Sequence, residues 1–275
     1  MQTALKKEAH LRAFFRDHPG CLVALSGGID SSYLALVACQ ELGERMLAVT
    51  GDSPSVPRAM LELARAFTTA HRIPHAVVPT SELESSDYRR NDEMRCYHCK
   101  RDLFERLRAL AAERGFGHLV EGTQGSDADD DRPGARAAKE LEVHSPLQAL
   151  GFSKEEIRAN ARRLGIAHYD LPESACLASR IARGNPVTEG ALRQVEEGEV
   201  LVRAMGFSQF RLRHHGDWCR LELLPKEMPR LFADGRREAL LERLAGLGFS
   251  LVTLDLHGYK RGGGNFRMNK DSRTD

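Results

Sequence analysis

The chain has 275 residues, 41% hydrophobic and 29% charged, with a formal charge of +1. That length builds one large domain or two smaller ones around a real core, and the near-zero charge excludes a global basic field that would recruit nucleic acid. No apolar run reaches the roughly 18–20 residues of a membrane span. The charged, amphipathic opening MQTALKKEAHLRAFFRDH also lacks the apolar stretch of a secretion signal, so a cytoplasmic protein without a membrane partner is expected.

In chain order, residues 22–25 read as a strand and 30–42 as a helix ended by Gly43. A strand follows at 46–50, a helix at 56–71 and a strand at 75–78. Residues 100–114 form the next predicted helix, ended by Gly115, and 118–121 a short strand before Gly122-Thr123. Alternation of this kind implies βαβ units, hence an α/β fold with a parallel, doubly wound sheet. Ligands of such sheets sit at the carboxyl ends of the strands. SGGIDSS, VTGDS and EGTQGSD all fall at such ends.

Ser153-Lys154-Glu155-Glu156 is a capping box opening a helix at 154–164. LPESACLASRIARGNP then runs as a long aperiodic loop, the kind that carries function in compact domains. After it come a helix at 188–205, strands at 209–214 and 218–223 joined by Gly216-Asp217, a helix at 229–247 and a strand at 250–256. The expected division is an α/β domain over 1–170 and a smaller C-terminal α+β domain over 171–275 that includes the Cys176 loop. The Gly-rich, charged tail is expected to be partly disordered.

Ser26-Gly27-Gly28-Ile29-Asp30-Ser31-Ser32, between strand and helix, has the physics of an anion site. The glycines permit close backbone approach, and their amides join the positive end of the helix dipole. Ser26, Ser31 and Ser32 add hydroxyls, and the anionic Asp30 is the candidate ligand of a Mg²⁺ ion. The Walker pattern is absent, and no lysine stands in or just after the loop to hold a γ-phosphate. SGGIDS resembles the PP-loop of the ATP pyrophosphatases. That resemblance implies adenylation: a substrate oxygen attacks the α-phosphorus of ATP and pyrophosphate leaves. By the same resemblance, Gly122 and Thr123 border the AMP moiety. Asp127, Asp129, Asp130 and Asp131 lack the EF-hand order and read as a solvated loop.

Six cysteines in a cytosolic chain are not a disulfide framework. Cys21, Cys39 and Cys219 fall in apolar elements and read as core. Cys96 and Cys99 form a CxxC just before a helix, and Cys176 lies in the long loop. These three residues admit a redox pair, a structural zinc site, or an iron–sulfur cluster with one open iron. Spacing does not choose among them.

SGGIDSS, RCYHCK, ESACLASRI, RLRHHGDWCRLEL and VTLDLHGYKRGG, in that order, resemble the LarE family of ATP-dependent sulfur transferases. The resemblance covers about residues 8–265. It implies adenylation of a carboxylate of a pyridinium dicarboxylate mononucleotide, then conversion to a thiocarboxylate for the nickel-pincer nucleotide of lactate racemase. It makes Cys176 the sulfur-handling residue, with Asp30 serving the adenylation. One branch of the family spends the cysteine sulfur and leaves dehydroalanine. Another binds a [4Fe–4S] cluster through three cysteines, here Cys96, Cys99 and Cys176, and takes sulfide from an external source. Presence of all three favours the second branch. An assembly of several copies is also implied.

Arg211 and Arg213 alternate in a predicted strand and share one face, suited to a phosphate. Arg180 is placed to join them, with Glu199 to orient an arginine. LarE resemblance assigns this region to the substrate phosphate. Tyr97 is read either as a stacking platform or as core. Rival readings are a tRNA thiolase, an amide-forming synthetase and a non-catalytic ATP sensor with a zinc staple.

Overall fold

The structure, a computed structural model, describes residues 2–18, 20–125, 133–172 and 174–260. The acidic run at Asp127, Asp129, Asp130 and Asp131 lies outside the described residues, as does the tail from residue 261. The chain divides into two compact units, Met1–Ala175 and Cys176–Asp275.

In the first unit, α1 (Gln2–Asp17) precedes β1 (Cys21–Ala24), α2 (Ile29–Leu42), β2 (Met46–Asp52), α3 (Arg58–His71) and β3 (His75–Pro79). The short α4 (Ser86–Arg89), the long α5 (Arg95–Glu113) and β4 (His118–Val120) follow. α6 (Pro133–Glu140), α7 (Pro146–Ala149) and α8 (Lys154–Arg163) complete the unit. The four strands pair in the order β3-β2-β1-β4, all parallel. Side-chain alternation along β1 shows why both faces are covered. Cys21 and Val23 enter a core with Leu11, Phe15, Tyr33, Phe152 and Ile157. Leu22 points the other way, into a core with Leu47, Phe104, Leu107 and Leu119. This is the expected doubly wound α/β arrangement. Strand order reverses between β1 and β4, so their carboxyl ends flank the switch point where such sheets take ligands.

Two elements differ from the sequence reading. α5 begins at Arg95, not Lys100, because Asp92 starts it: its Oδ1 accepts the Met94 amide at 2.8 Å and its carbonyl the Arg95 amide at 3.2 Å. The CxxC therefore lies inside the first turns of a helix. The charged N-terminal stretch, given no element from sequence, is α1, anchored by the fully buried Leu11 and Phe15.

The second unit holds α9 (Glu189–Ala204), β5 (Phe210–His214), β6 (Trp218–Leu223), α10 (Met228–Leu231), α11 (Arg236–Gly246) and β7 (Leu251–Leu254). β5 and β6 form an antiparallel hairpin, and β7 adds parallel to β6. α9 lies so close to β5 that a Cβ on Gly198 would stand 2.8 Å from Leu212. The single helix expected over 229–247 is two, because Asp234 and Gly235 take successive left-handed conformations (φ 56° and 68°) that break it.

Candidate active site

In the first unit the phosphate turn joins β1 to α2. Gly27 has φ +79°, and a Cβ there would lie 2.5 Å from the Met60 carbonyl, so only glycine fits. The Ser31 hydroxyl donates to the Gly28 carbonyl at 3.0 Å and receives the Ser26 amide at 3.1 Å, holding the turn in shape. Ser26 is exposed and available to a ligand. Ser32 is fully buried, and its hydroxyl lies 3.0 Å from His168 Nε2.

Gly122 follows β4 and abuts this turn. A Cβ on it would sit 2.8 Å from the Ser31 amide nitrogen. Thr123 donates its hydroxyl to Glu121 at 2.6 Å. The β1 and β4 loops therefore meet at the switch point, with Gly122 at the contact.

The sequence reading missed Lys154. No lysine stands in the loop itself, but α8 brings one from 124 residues away, and its Nζ donates to Asp30 Oδ2 at 2.6 Å. Lys154 is 8% exposed and opens its helix, where a cation opposes the dipole. The only signal in the sequence was a lysine at the first position of a capped helix, where the dipole disfavours a cation that no anion offsets. Here that anion is the residue expected to hold Mg²⁺.

Cys96 and Cys99 stand one turn apart on α5, the first exposed and the second partly so. Tyr97 between them is buried, donates to Glu140 at 2.5 Å and lies under Arg136, so it is an α5–α6 packing residue. Burial pushes the Cys21 and Cys219 thiols up to about 12 and raises Cys39 as well, which fits the core reading of all three. Among the described residues, no group of three or more His, Cys, Asp or Glu side chains is set to hold a metal ion.

In the second unit Cys176, partly exposed, caps the 3-10 turn Leu177–Arg180. Its carbonyl accepts the Ser179 hydroxyl at 2.7 Å and Arg180 Nη1 at 3.0 Å. Arg180 is 2% exposed and forks onto Glu199 at 3.0 and 3.1 Å, so the arginine that Glu199 orients is this one. Arg213 forks onto Glu222 at 2.9 and 3.1 Å and reaches the Ser179 carbonyl at 3.1 Å. Arg211 differs from both. Among the described residues no carboxylate pairs with it; its guanidinium lies 5.1 Å from the Tyr259 ring centre and bonds the Phe210 carbonyl. Burial, then the charge of Arg180, push its pKa below the ordinary arginine value. Of these three arginines two are thus neutralised within the fold, and Arg211 has no paired carboxylate among the described residues.

No protein-family model matches the chain. It is 38% identical over 256 residues to an uncharacterized protein of Synechocystis sp., spanning 93% of this chain and 96% of the relative. It is 31% identical over 273 residues, 98% of both chains, to the pyridinium-3,5-bisthiocarboxylic acid mononucleotide synthase of Lactiplantibacillus plantarum. The chain belongs to the LarE family. A probable tRNA sulfurtransferase of Thermus thermophilus is 31% identical over 193 residues, 66% of this chain and 47% of that protein. The LarE chain is therefore an ATP-dependent sulfur transferase on a PP-loop fold. Among its described residues no helix is long and apolar enough to cross a membrane.

Proposed function

We propose that this LarE-family enzyme adenylates a carboxylate of a pyridinium dicarboxylate mononucleotide and converts it to a thiocarboxylate, for the nickel-pincer nucleotide of lactate racemase. What carries the reading is the presence, in one chain of this family, of the phosphate turn and a partly exposed Cys176 thiol on an arginine-clamped turn. The amides around Gly27 and Gly28 grip the pyrophosphate part of ATP. The Asp30 carboxylate offers the hard oxygens that suit Mg²⁺. Lys154, now on Asp30, is within reach of the same anions. A substrate oxygen attacks the α-phosphorus and pyrophosphate departs. Sulfur then attacks the activated carbonyl carbon and AMP departs. Arg211 takes the substrate phosphate, with Arg180, Arg213 and Glu199 framing it.

For the sulfur source we propose a [4Fe–4S] cluster held by Cys96, Cys99 and Cys176. The supporting feature is the pair of accessible thiols one helical turn apart, a soft donor set of the kind such clusters use. When bound, the cluster would supply an open iron for exogenous hydrosulfide. A homo-oligomer is part of this reading. The test is iron, acid-labile sulfide and zinc content with the visible spectrum, on protein purified without oxygen, for wild type and Cys96→Ala. Iron and sulfide near four each per chain, lost in the variant, are expected. Absence of iron, with Cys176 losing the mass of H₂S after turnover, would replace this source by sacrificial cysteine chemistry that leaves dehydroalanine.

A further inference from the structure

Glu121 stands where an acidic residue is hardest to explain. It directly follows β4, its side chain is 8% exposed, and its neighbour Gly122 touches the amide turn of α2. Consecutive Cα atoms are about 3.8 Å apart, so the Glu121 backbone lies within about one Debye length of the Ser31 amide, and a buried charge is screened less than an exposed one. An unpaired negative charge there would repel the phosphates of ATP. Among the described residues it meets one cation and two hydroxyls. Lys100 Nζ donates to Oε2 at 2.6 Å, while Thr123 and Ser145 donate to Oε1 at 2.6 and 3.1 Å. Lys100 comes from α5, next to Cys99. Its stem runs along Gly134, where a Cβ would lie 3.2 Å from Lys100 Cδ, and its ammonium is 5.4 Å from the Phe104 ring centre.

We infer that Lys100 is a positioning residue for the nucleotide: it cancels the Glu121 charge beside the phosphate turn and so permits Mg–ATP to bind. Glu121 in turn fixes the Thr123 hydroxyl as a donor to itself. Only the lone pairs of Thr123 are then left for the nucleotide, so that residue accepts from a ribose hydroxyl or an amine rather than donating to phosphate. The same ion pair ties the helix bearing Cys96 and Cys99 to the strand end at the nucleotide loop. The inference deepens the adenylation reading and rests on it.

Calorimetric titration with Mg²⁺ and a non-hydrolysable ATP analogue tests it, alongside thermal melts of every variant. Lys100→Met should weaken binding about tenfold, the size expected for repulsion by one uncompensated charge roughly 10 Å from the phosphates. Lys100→Arg should keep affinity near wild type. The double variant Lys100→Met with Glu121→Gln should recover to within about threefold of wild type, because the repelling charge has gone with its partner. A purely structural lysine would instead lower the melting temperature and leave the double variant as weak as the single one. Wild-type binding with Lys100→Met unaffected, or no recovery in the double variant, overturns the inference alone. A wild-type chain that binds no ATP analogue overturns the adenylation reading and this inference with it.

Discussion

Arg211 and Arg213 look interchangeable in sequence, two residues apart on one strand face. Their surroundings make them opposites. Arg213 is the inner half of a buried fork with Glu222, and Arg220 touches the same carboxylate at 3.1 Å. Removing one partner of a buried pair costs roughly 3–5 kcal/mol, and the second arginine places Arg213→Ala at the low end of that range. Arg211 is a half-buried cation with no paired carboxylate among the described residues, so Arg211→Ala should leave the melting temperature almost unchanged. It should weaken binding of the mononucleotide substrate about 10- to 100-fold, the worth of a lost charge-assisted phosphate contact, and leave ATP-analogue binding intact. Melts and titrations of the two single variants separate the roles. The reverse pattern, with Arg213→Ala stable and unable to bind, would move the phosphate to Arg213. The shared face of the two arginines was legible from strand alternation. Their different charge balance was not, because it depends on Glu222 across the hairpin and on Arg180 and Glu199 from other elements.

At the scale of elements, local signals were read well where they were complete. Ser153 accepts the Glu156 amide and Glu156 accepts the Ser153 amide, the capping box that the four-residue pattern announces. Thr188 caps α9 more simply, its hydroxyl accepting the Ala191 amide at 3.1 Å. α5 starts ahead of both cysteines, five residues before the Lys100 expected from sequence, because Asp92 initiates it through bonds to the Met94 and Arg95 amides. The break between α10 and α11 was also written in the chain, as Asp234-Gly235. The capping box has a consequence beyond helix stability, because its first helical residue is Lys154. Ser153→Ala should cost about 1 kcal/mol, a fall of about 2–4 °C in Tm, and should also weaken ATP-analogue binding by loosening the turn that presents Lys154. Lys154→Met should weaken that binding further, about tenfold or more, with Ser153→Ala intermediate. A melting loss without any binding loss in either variant would detach the first turn of α8 from the nucleotide site.

Over the whole first unit, β–α alternation was enough to foresee a parallel sheet and to put the phosphate turn at the carboxyl ends of its strands. Contacts far apart in sequence were beyond that reading: Lys154 on Asp30, Lys100 on Glu121, and the histidines gathered at the amino ends of the same strands. His118, the first residue of β4, has ring centres of His18 and His144 at 4.8 and 5.5 Å, and those two are 5.6 Å from each other. Burial, then the charges of His18 and His144, lower the His118 pKa below its ordinary 6.5. His75, wedged between Thr50 and Thr68, is lowered by burial and then Arg65, and His168 by burial and then His71. In each case the unfolded chain takes up a proton more readily than the folded one. The stabilisation from a neutral ring is therefore complete above pH 6.5 and is lost as pH falls below 6.5 through the lowered folded values. Carboxylates act later: Glu41, held down by its hydrogen bond from Arg12, gives up its contribution only as pH falls below 4.5. Acid should therefore act in two stages, the first driven by histidine. Tm should fall on the order of 5 °C between pH 7.5 and 5.5, and a His75→Asn, His118→Asn double variant should show a smaller fall over the same interval. A Tm that stays flat down to pH 5 would mean that these rings accept protons in the folded chain without penalty, and that the cluster at the amino ends of the sheet opens to water instead of resisting charge.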